Sequence, residues 1–191
     1  MVRTPRTALA IVVAALVYLA TTAVTKAAPA PEGRTPSVER GAYLVRIMGC
    51  NHCHTPYKLG PAGPEPDMVR ALSGHPADFA LPAPPALDGK WTWLGAATNT
   101  AFSGPWGTSF TANLTPDPET GLGRWSAETF IATMKSGRHE GKGRPILPPM
   151  PVENLAALSD SDIRDLFAYL QSLPAIKNRV PAPIDPPEAV R

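Results

Sequence analysis

The chain has 191 residues, with 18 Lys and Arg against 16 Asp and Glu, four His, two Cys and 24 Pro. Residues 1 to 27 hold Arg3, Arg6 and Lys26 and no acidic group, so without them 15 basic side chains face 16 acidic ones. A near-neutral chain of this length predicts one domain of ordinary size and excludes the clustered positive charge of a nucleic-acid binder.

At the amino terminus, Arg3 and Arg6 precede an apolar stretch from about Ala8 to Val24, followed by small residues up to Ala30. This is the layout of an export signal, with a cut expected after Ala27, or of an uncleaved membrane anchor. The stretch is close to the lower limit of roughly 17 residues for a spanning helix, so length does not choose between the two. In both cases the folded part is expected outside the cytoplasm. Residues 28–36 read as a linker.

A first helix is predicted from about Val38 to Gly49, with Ser37 as its cap and Val38, Ala42, Leu44, Val45, Ile47 and Met48 as its apolar surface. It delivers the chain into Cys50-Asn51-His52-Cys53-His54, which reads Cys-x-x-Cys-His and contains both cysteines of the chain. This is the attachment sequence of a c-type haem. Two thiols one helical turn apart reach the two vinyl groups of one porphyrin edge, and the next imidazole, His54, falls beneath the iron. Two other chemistries use paired cysteines. Zinc needs about four ligands, which only His52, His54, His75 and His139 could complete, and a redox dithiol needs a strand and a βαβ pattern that this sequence lacks. An oxidising compartment would also turn free thiols at this spacing into a disulfide.

The stretch from Thr55 to Asn113 is too long and too rich in Pro, Gly and Trp for a plain connection. Alternation at Thr98, Thr100 and Phe102, then at Thr108, Phe110 and Ala112, with Ser103-Gly-Pro-Trp-Gly107 between, suggests a short hairpin. Trp106 and Trp125 are expected to wall the haem, while Trp91 and Trp93 stay open between that role and a partner or quinol surface. Asn113 and Thr115 are candidates to hydrogen-bond the haem propionates, with turn capping before Pro116 as the alternative.

A second helix is predicted over Ala127 to Ser136, capped by Ser126 and closed by Gly137, with Phe130, Ile131 and Met134 on one face. Beyond it, Pro148, Pro149 and Pro151 flank Met150 in an extended loop able to set a thioether at fixed depth. Met150 is therefore the expected distal iron ligand. Met134 reads as core and Met48 lies too near the motif, which leaves Met68 as the rival. His139 sits in a polar, glycine-rich stretch that reads as solvated loop. Lys135, Arg138, Lys142 and Arg144 form a basic cluster ahead of Met150, either a solvated face or a docking patch for an acidic redox partner.

The third helix is the clearest, with Ser159 as cap, Asp160 and Asp162 at the positive end of the dipole, and Ile163, Leu166, Phe167 and Leu170 at helical spacing before Pro174. We expect it to cross the first helix, with Gly41 permitting close approach and Tyr43 or Val45 meeting Phe167 and Leu170.

On these residues the chain resembles the bacterial class I c-type cytochromes, and more closely the periplasmic monohaem cytochromes related to the cytochrome subunits of membrane-bound alcohol and gluconate dehydrogenases. The resemblance rests on Arg40-Gly-Ala-Tyr-Leu44 before the haem motif, on Ala112-Asn-Leu-Thr-Pro-Asp-Pro-Glu-Thr-Gly-Leu-Gly-Arg-Trp-Ser126, on Pro149-Met-Pro151, and on Leu158-Ser-Asp through Ala168-Tyr-Leu170. It implies an all-α cytochrome c fold around one covalent haem c, with the domain at 37–178 and a Pro-rich tail at 179–191. It implies His54 and Met150 as axial ligands and electron transfer in the periplasm from a dehydrogenase towards an oxidase or another cytochrome. The protein would be soluble there or tethered to the inner membrane. A haem enzyme or a gas-binding haem protein is the alternative, and it would need a vacant or displaceable distal position.

Overall fold

The computed structural model describes residues 34–85, 87 and 89–186. The expected export signal or anchor at 1–27 lies outside them, as does most of the linker. Among the described residues, no helix is long and apolar enough to cross a membrane.

Helix α1 spans Val38–Ile47, with the Ser37 side chain accepting from the Arg40 amide as its cap. Met48 and Gly49 end it, and a single further turn, α2 at Cys50–His54, carries the cysteine motif. Helix α3 is Ala127–Ser136 behind its Ser126 cap, and α5 is Asp160–Gln171 behind Ser159. Between them, α4 at Val152–Ala156 follows Met150, a short helix that the sequence did not announce.

The crossing of α1 and α5 is the frame of the molecule. A Cβ placed on Gly41 would lie 2.0 Å from the Asp165 carbonyl oxygen and 2.7 Å from Tyr169 Cβ, so only glycine fits this approach. Asp165 is fully buried and accepts from the Ser37 amide at 2.7 Å while pairing with Arg34. Arg40 meets Asp162 at 3.2 Å on the outer side. Val45, Leu44, Ile163, Leu166 and Leu170 belong to one buried core with Phe130, Met134 and Leu155, against which Phe167 packs. Tyr43 takes no part. It is 45% exposed and lies under the Arg40 guanidinium, while Gly41 is the α1 residue that meets α5, at Asp165 and Tyr169.

The all-α expectation is corrected by two small antiparallel sheets within residues 55–113. Strands β1 (Tyr57–Gly60) and β2 (Gly63–Pro66) form one hairpin, and β3 (Leu94–Gly95), β4 (Ala101–Gly104) and β5 (Gly107–Phe110) form the other sheet in that order. The expected hairpin around Ser103–Gly107 is present, with Phe102 opposite Ser109 and Ser103 opposite Thr108. The tail does not leave the domain at residue 179. Ile184 exchanges both backbone hydrogen bonds with Thr108, at 2.8 and 2.9 Å, and so extends this sheet.

Gly41→Ala should destabilise the protein by about 2 kcal/mol or more, since the clash is with backbone that cannot turn aside. Denaturant unfolding of the purified protein measures it, and an unchanged midpoint would mean that the two helices stand further apart.

Candidate haem site

His54 ends α2, and its ring is buried with Nδ1 2.8 Å from the Ala112 carbonyl oxygen. A carbonyl only accepts, so Nδ1 carries the proton, and the neutral ring presents an unprotonated Nε2 to a metal. Burial lowers the His54 pKa and the Ala112 carbonyl partly offsets it, which keeps the ring in this ligand-competent form.

The long segment after the motif builds this side of the site. It returns to the motif four times: the Leu72 amide donates to Thr55 Oγ1 at 2.9 Å, the Gly74 amide to the His54 carbonyl at 2.8 Å, Asn99 Nδ2 to the His52 carbonyl at 2.6 Å, and Ala112 receives the imidazole. Leu72 is buried at φ 59°, a conformation that costs a non-glycine residue of order 1 kcal/mol and is held by the Thr55 hydroxyl and the Leu114 amide. Gly74 has φ 78°, and a Cβ there would meet the Thr111 carbonyl oxygen at 2.4 Å and the Ala112 carbonyl oxygen at 2.7 Å. The clamp closes because this residue has no side chain.

Cys50 and Cys53 are free and half-buried. Burial pushes the Cys50 thiol up to about 11, with Cys53 adding to it against its own backbone hydrogen bond, and burial raises Cys53 as well. A disulfide-exchange dithiol ordinarily shows the opposite shift. Among the described residues, no group of three or more His, Cys, Asp or Glu side chains could hold a metal ion, so the zinc reading finds no ligand set there.

Met150 is partly buried and packs against the same core as Cys50, Met48, Leu114, Trp125 and Ile131. Its rivals stand elsewhere: Met134 is buried core, and Met68 is 65% exposed on a 3-10 turn at Met68–Arg70. His139 is exposed, with its ring edge-on to Trp125 at 5.3 Å. The Met150 loop is tied to β5, where Ser109 Oγ donates to the Pro148 carbonyl at 2.6 Å. Three residues later the same chain supplies Ala112 to His54, so residues 109–112 touch both candidate ligands' segments.

Two buried polar atoms among the described residues have no partner, Trp106 Nε1 and Thr111 Oγ1. The indole N–H can only donate and the hydroxyl can do so, and both lie on or just after the β4–β5 hairpin. Donors left without a protein acceptor fit a carboxylate-bearing group such as haem. Asn113 does not fit that role. Its Nδ2 donates to Thr120 Oγ1 and the Ile176 carbonyl, and its Oδ1 accepts from the Thr115 amide and hydroxyl, so its capacity is spent locking residues 113–120 to the tail. Thr111, Ala112, Gly74 and Asn99 escaped the sequence reading. Ala112 acts through its backbone, and small or loop-forming residue types carry no signal of a cofactor.

A cytochrome c family model matches residues 38–174. The cytochrome c subunit of alcohol dehydrogenase (quinone) of Gluconobacter oxydans is 28% identical over 158 residues, 81% of this chain and 26% of that protein. The fructose dehydrogenase cytochrome subunit of Gluconobacter japonicus is 27% identical over 165 residues, 83% of this chain and 27% of that protein. The gluconate 2-dehydrogenase cytochrome c subunit of Pantoea cypripedii is 28% identical over 132 residues, 69% of this chain and 22% of that protein. This chain therefore spans about a quarter of the length of these relatives.

Trp106→Phe should lower the stability of the haem-loaded protein by about 1.5 kcal/mol, the value of a hydrogen bond to a charged group. Unaltered thermal unfolding would leave the indole N–H without a carboxylate partner. His75 is held below its ordinary pKa by burial, so the unfolded chain binds more protons than the folded one below about pH 6.5. Stability should therefore be full above that pH and decline as pH falls through the window beneath it. In denaturant titrations from pH 7 to 5, His75→Gln should remove one imidazole's share of the slope.

Proposed function

Because the chain belongs to the cytochrome c family, we propose that it is a periplasmic electron carrier with one covalent haem c, held by Cys50 and Cys53 and ligated by His54 and Met150. The observation that carries this reading is the His54–Ala112 hydrogen bond, which fixes the imidazole tautomer a metal requires on the residue that follows the two thiols. Bound haem c supplies the one-electron couple. The chain supplies a neutral imidazole from one side and, from the Met150 loop, a soft thioether that favours the ferrous state and raises the potential. Held by His54 and Met150 together, the iron would offer no position to oxygen or peroxide, which is the property of a carrier rather than of an enzyme.

The relatives from Gluconobacter oxydans, Gluconobacter japonicus and Pantoea cypripedii are named as cytochrome subunits of dehydrogenases, which supports a dehydrogenase as donor. An oxidase or another cytochrome is the proposed acceptor. The apolar stretch from Ala8 to Val24 would export the chain and, if uncut, tether it to the inner membrane. Of the four basic residues before Met150, Lys135 is committed to the carbonyls of Ala156 and Leu158 and to Asp160. Arg138, Lys142 and Arg144 stay exposed to steer an acidic partner.

Secreted from a host competent in haem attachment, the protein should be red, keep its pigment in acidified acetone and show a low-spin ferric spectrum. Met150→Ala should turn that spectrum high-spin and open the ferrous form to carbon monoxide. An unchanged spectrum would remove Met150 from the iron, and rapid carbon monoxide binding by the wild type would favour a haem enzyme or gas-binding protein.

A further inference from the structure

The segment after α5 is a strap across the side of the site that holds His54. The Ile176 carbonyl accepts from Asn113 Nδ2 at 2.7 Å, the Ile176 amide donates to Thr115 Oγ1 at 3.1 Å, and the Asn178 amide donates to Thr120 Oγ1 at 3.0 Å. The Asn178 side chain then reaches the clamp itself. Its Nδ2 donates to the carbonyls of Ser73 at 2.7 Å and His75 at 2.9 Å, and its Oδ1 accepts from the Ala77 amide at 2.9 Å. Both donors and the acceptor are in use, on three positions of one short stretch.

That stretch holds the residue just before the imidazole's acceptor, and the His54 backbone as well. The His75 amide donates to the Thr111 carbonyl at 3.0 Å, and the Gly74 amide donates to the His54 carbonyl at 2.8 Å. Thr111 and Ala112 offer successive carbonyls: His75 holds the first, and the His54 ring donates to the second. The Asn178 amide group thus stands two hydrogen bonds from the ligand residue. The neighbouring Lys177 turns outward instead, to Glu119 at 2.7 Å.

We propose that Asn178 is a positioning residue for the His54 imidazole, fixing residues 73–77 so that the Ala112 carbonyl keeps a short, directed bond to Nδ1. The proposal rests on His54 being the iron ligand. A well-held Nδ1–H···O bond raises the basicity of the ring and favours ferric iron. Freeing the Ser73 and His75 carbonyls lets the acceptor drift, so the bond weakens, the reduction potential rises and the ring proton exchanges more readily.

The experiment uses the full haem-loaded protein and compares the wild type with Asn178→Ala, Asn178→Ser and Lys177→Ala. The reduction potential is measured by redox titration, and exchange of the His54 Nδ1 proton with D2O is followed by NMR. Asn178→Ala should speed exchange by roughly tenfold or more, the effect of losing one buried hydrogen bond of ordinary strength, and should raise the potential. Asn178→Ser, which keeps one short donor, should fall between, and Lys177→Ala should match the wild type on both readouts. A lowered melting temperature with unmoved exchange and potential would overturn the proposal, because a merely structural strap produces that result. If the Asn178 variants fail to fold, the wild-type protein decides: the Asn178 side-chain amide protons must be protected from exchange, and free exchange overturns the contact. A wild type that binds no covalent haem overturns the haem reading and this inference together, whereas a haem-loaded wild type with unmoved variants overturns this inference alone.

Discussion

The hydrogen bond from the His54 ring to the Ala112 carbonyl joins two parts of the chain separated by residues 55–111. Its chemical effect is local, since it selects one imidazole tautomer. Its structural demand is not. For Ala112 to stand there, the chain must leave the motif, turn back at Leu72–His75, fold the β4–β5 hairpin and return, and each return is pinned by a hydrogen bond onto the motif. The segment that looked too long for a connection is the wall of the site.

The two sides of the proposed site are held by different physics. The His54 side is a lattice of directed hydrogen bonds between backbone and small polar side chains, with Thr55, Thr100 and Thr115 fully buried within it. The Met150 side is apolar packing, where Met150, Trp125 and Ile131 lean on the core formed by α1, α3 and α5. Directed bonds suit a ring whose tautomer and orientation matter. A thioether on a flexible stem needs only a surface at the right depth.

How much of this could be read from the sequence follows the same division. The three long helices were legible because Ser37, Ser126 and Ser159 cap apolar stripes of helical period, and the structure begins each helix where its cap predicts. Gly41 gave away the helix crossing. The thiols and His54 were legible because their chemistry dictates their spacing. By contrast, β1 and β2 bury no regular face, with Lys58, Leu59 and Glu65 exposed, and Pro64 and Pro66 lie within the pairing, so no alternation marks them. Of the two α1 residues expected to meet α5, Val45 lies in the shared core and Tyr43 is surface, since only the geometry of the crossing decides which face of α1 is turned to α5. Asn113 could by residue type serve either the cofactor or the turn before Pro116, and the structure spends it on that turn and on the tail.

The meeting of α1 with α5 brings Ser37 and Asp165 together across 128 positions of sequence. Once those ends are joined, everything between them is already a closed loop, and lengthening such a loop is inexpensive: each doubling costs only about 0.6 kcal/mol of chain entropy. The intervening polypeptide is thus free to expand or contract over generations without undoing the helical pair. What it cannot do is slip, because Gly74 and Ala112 must arrive at the imidazole in step.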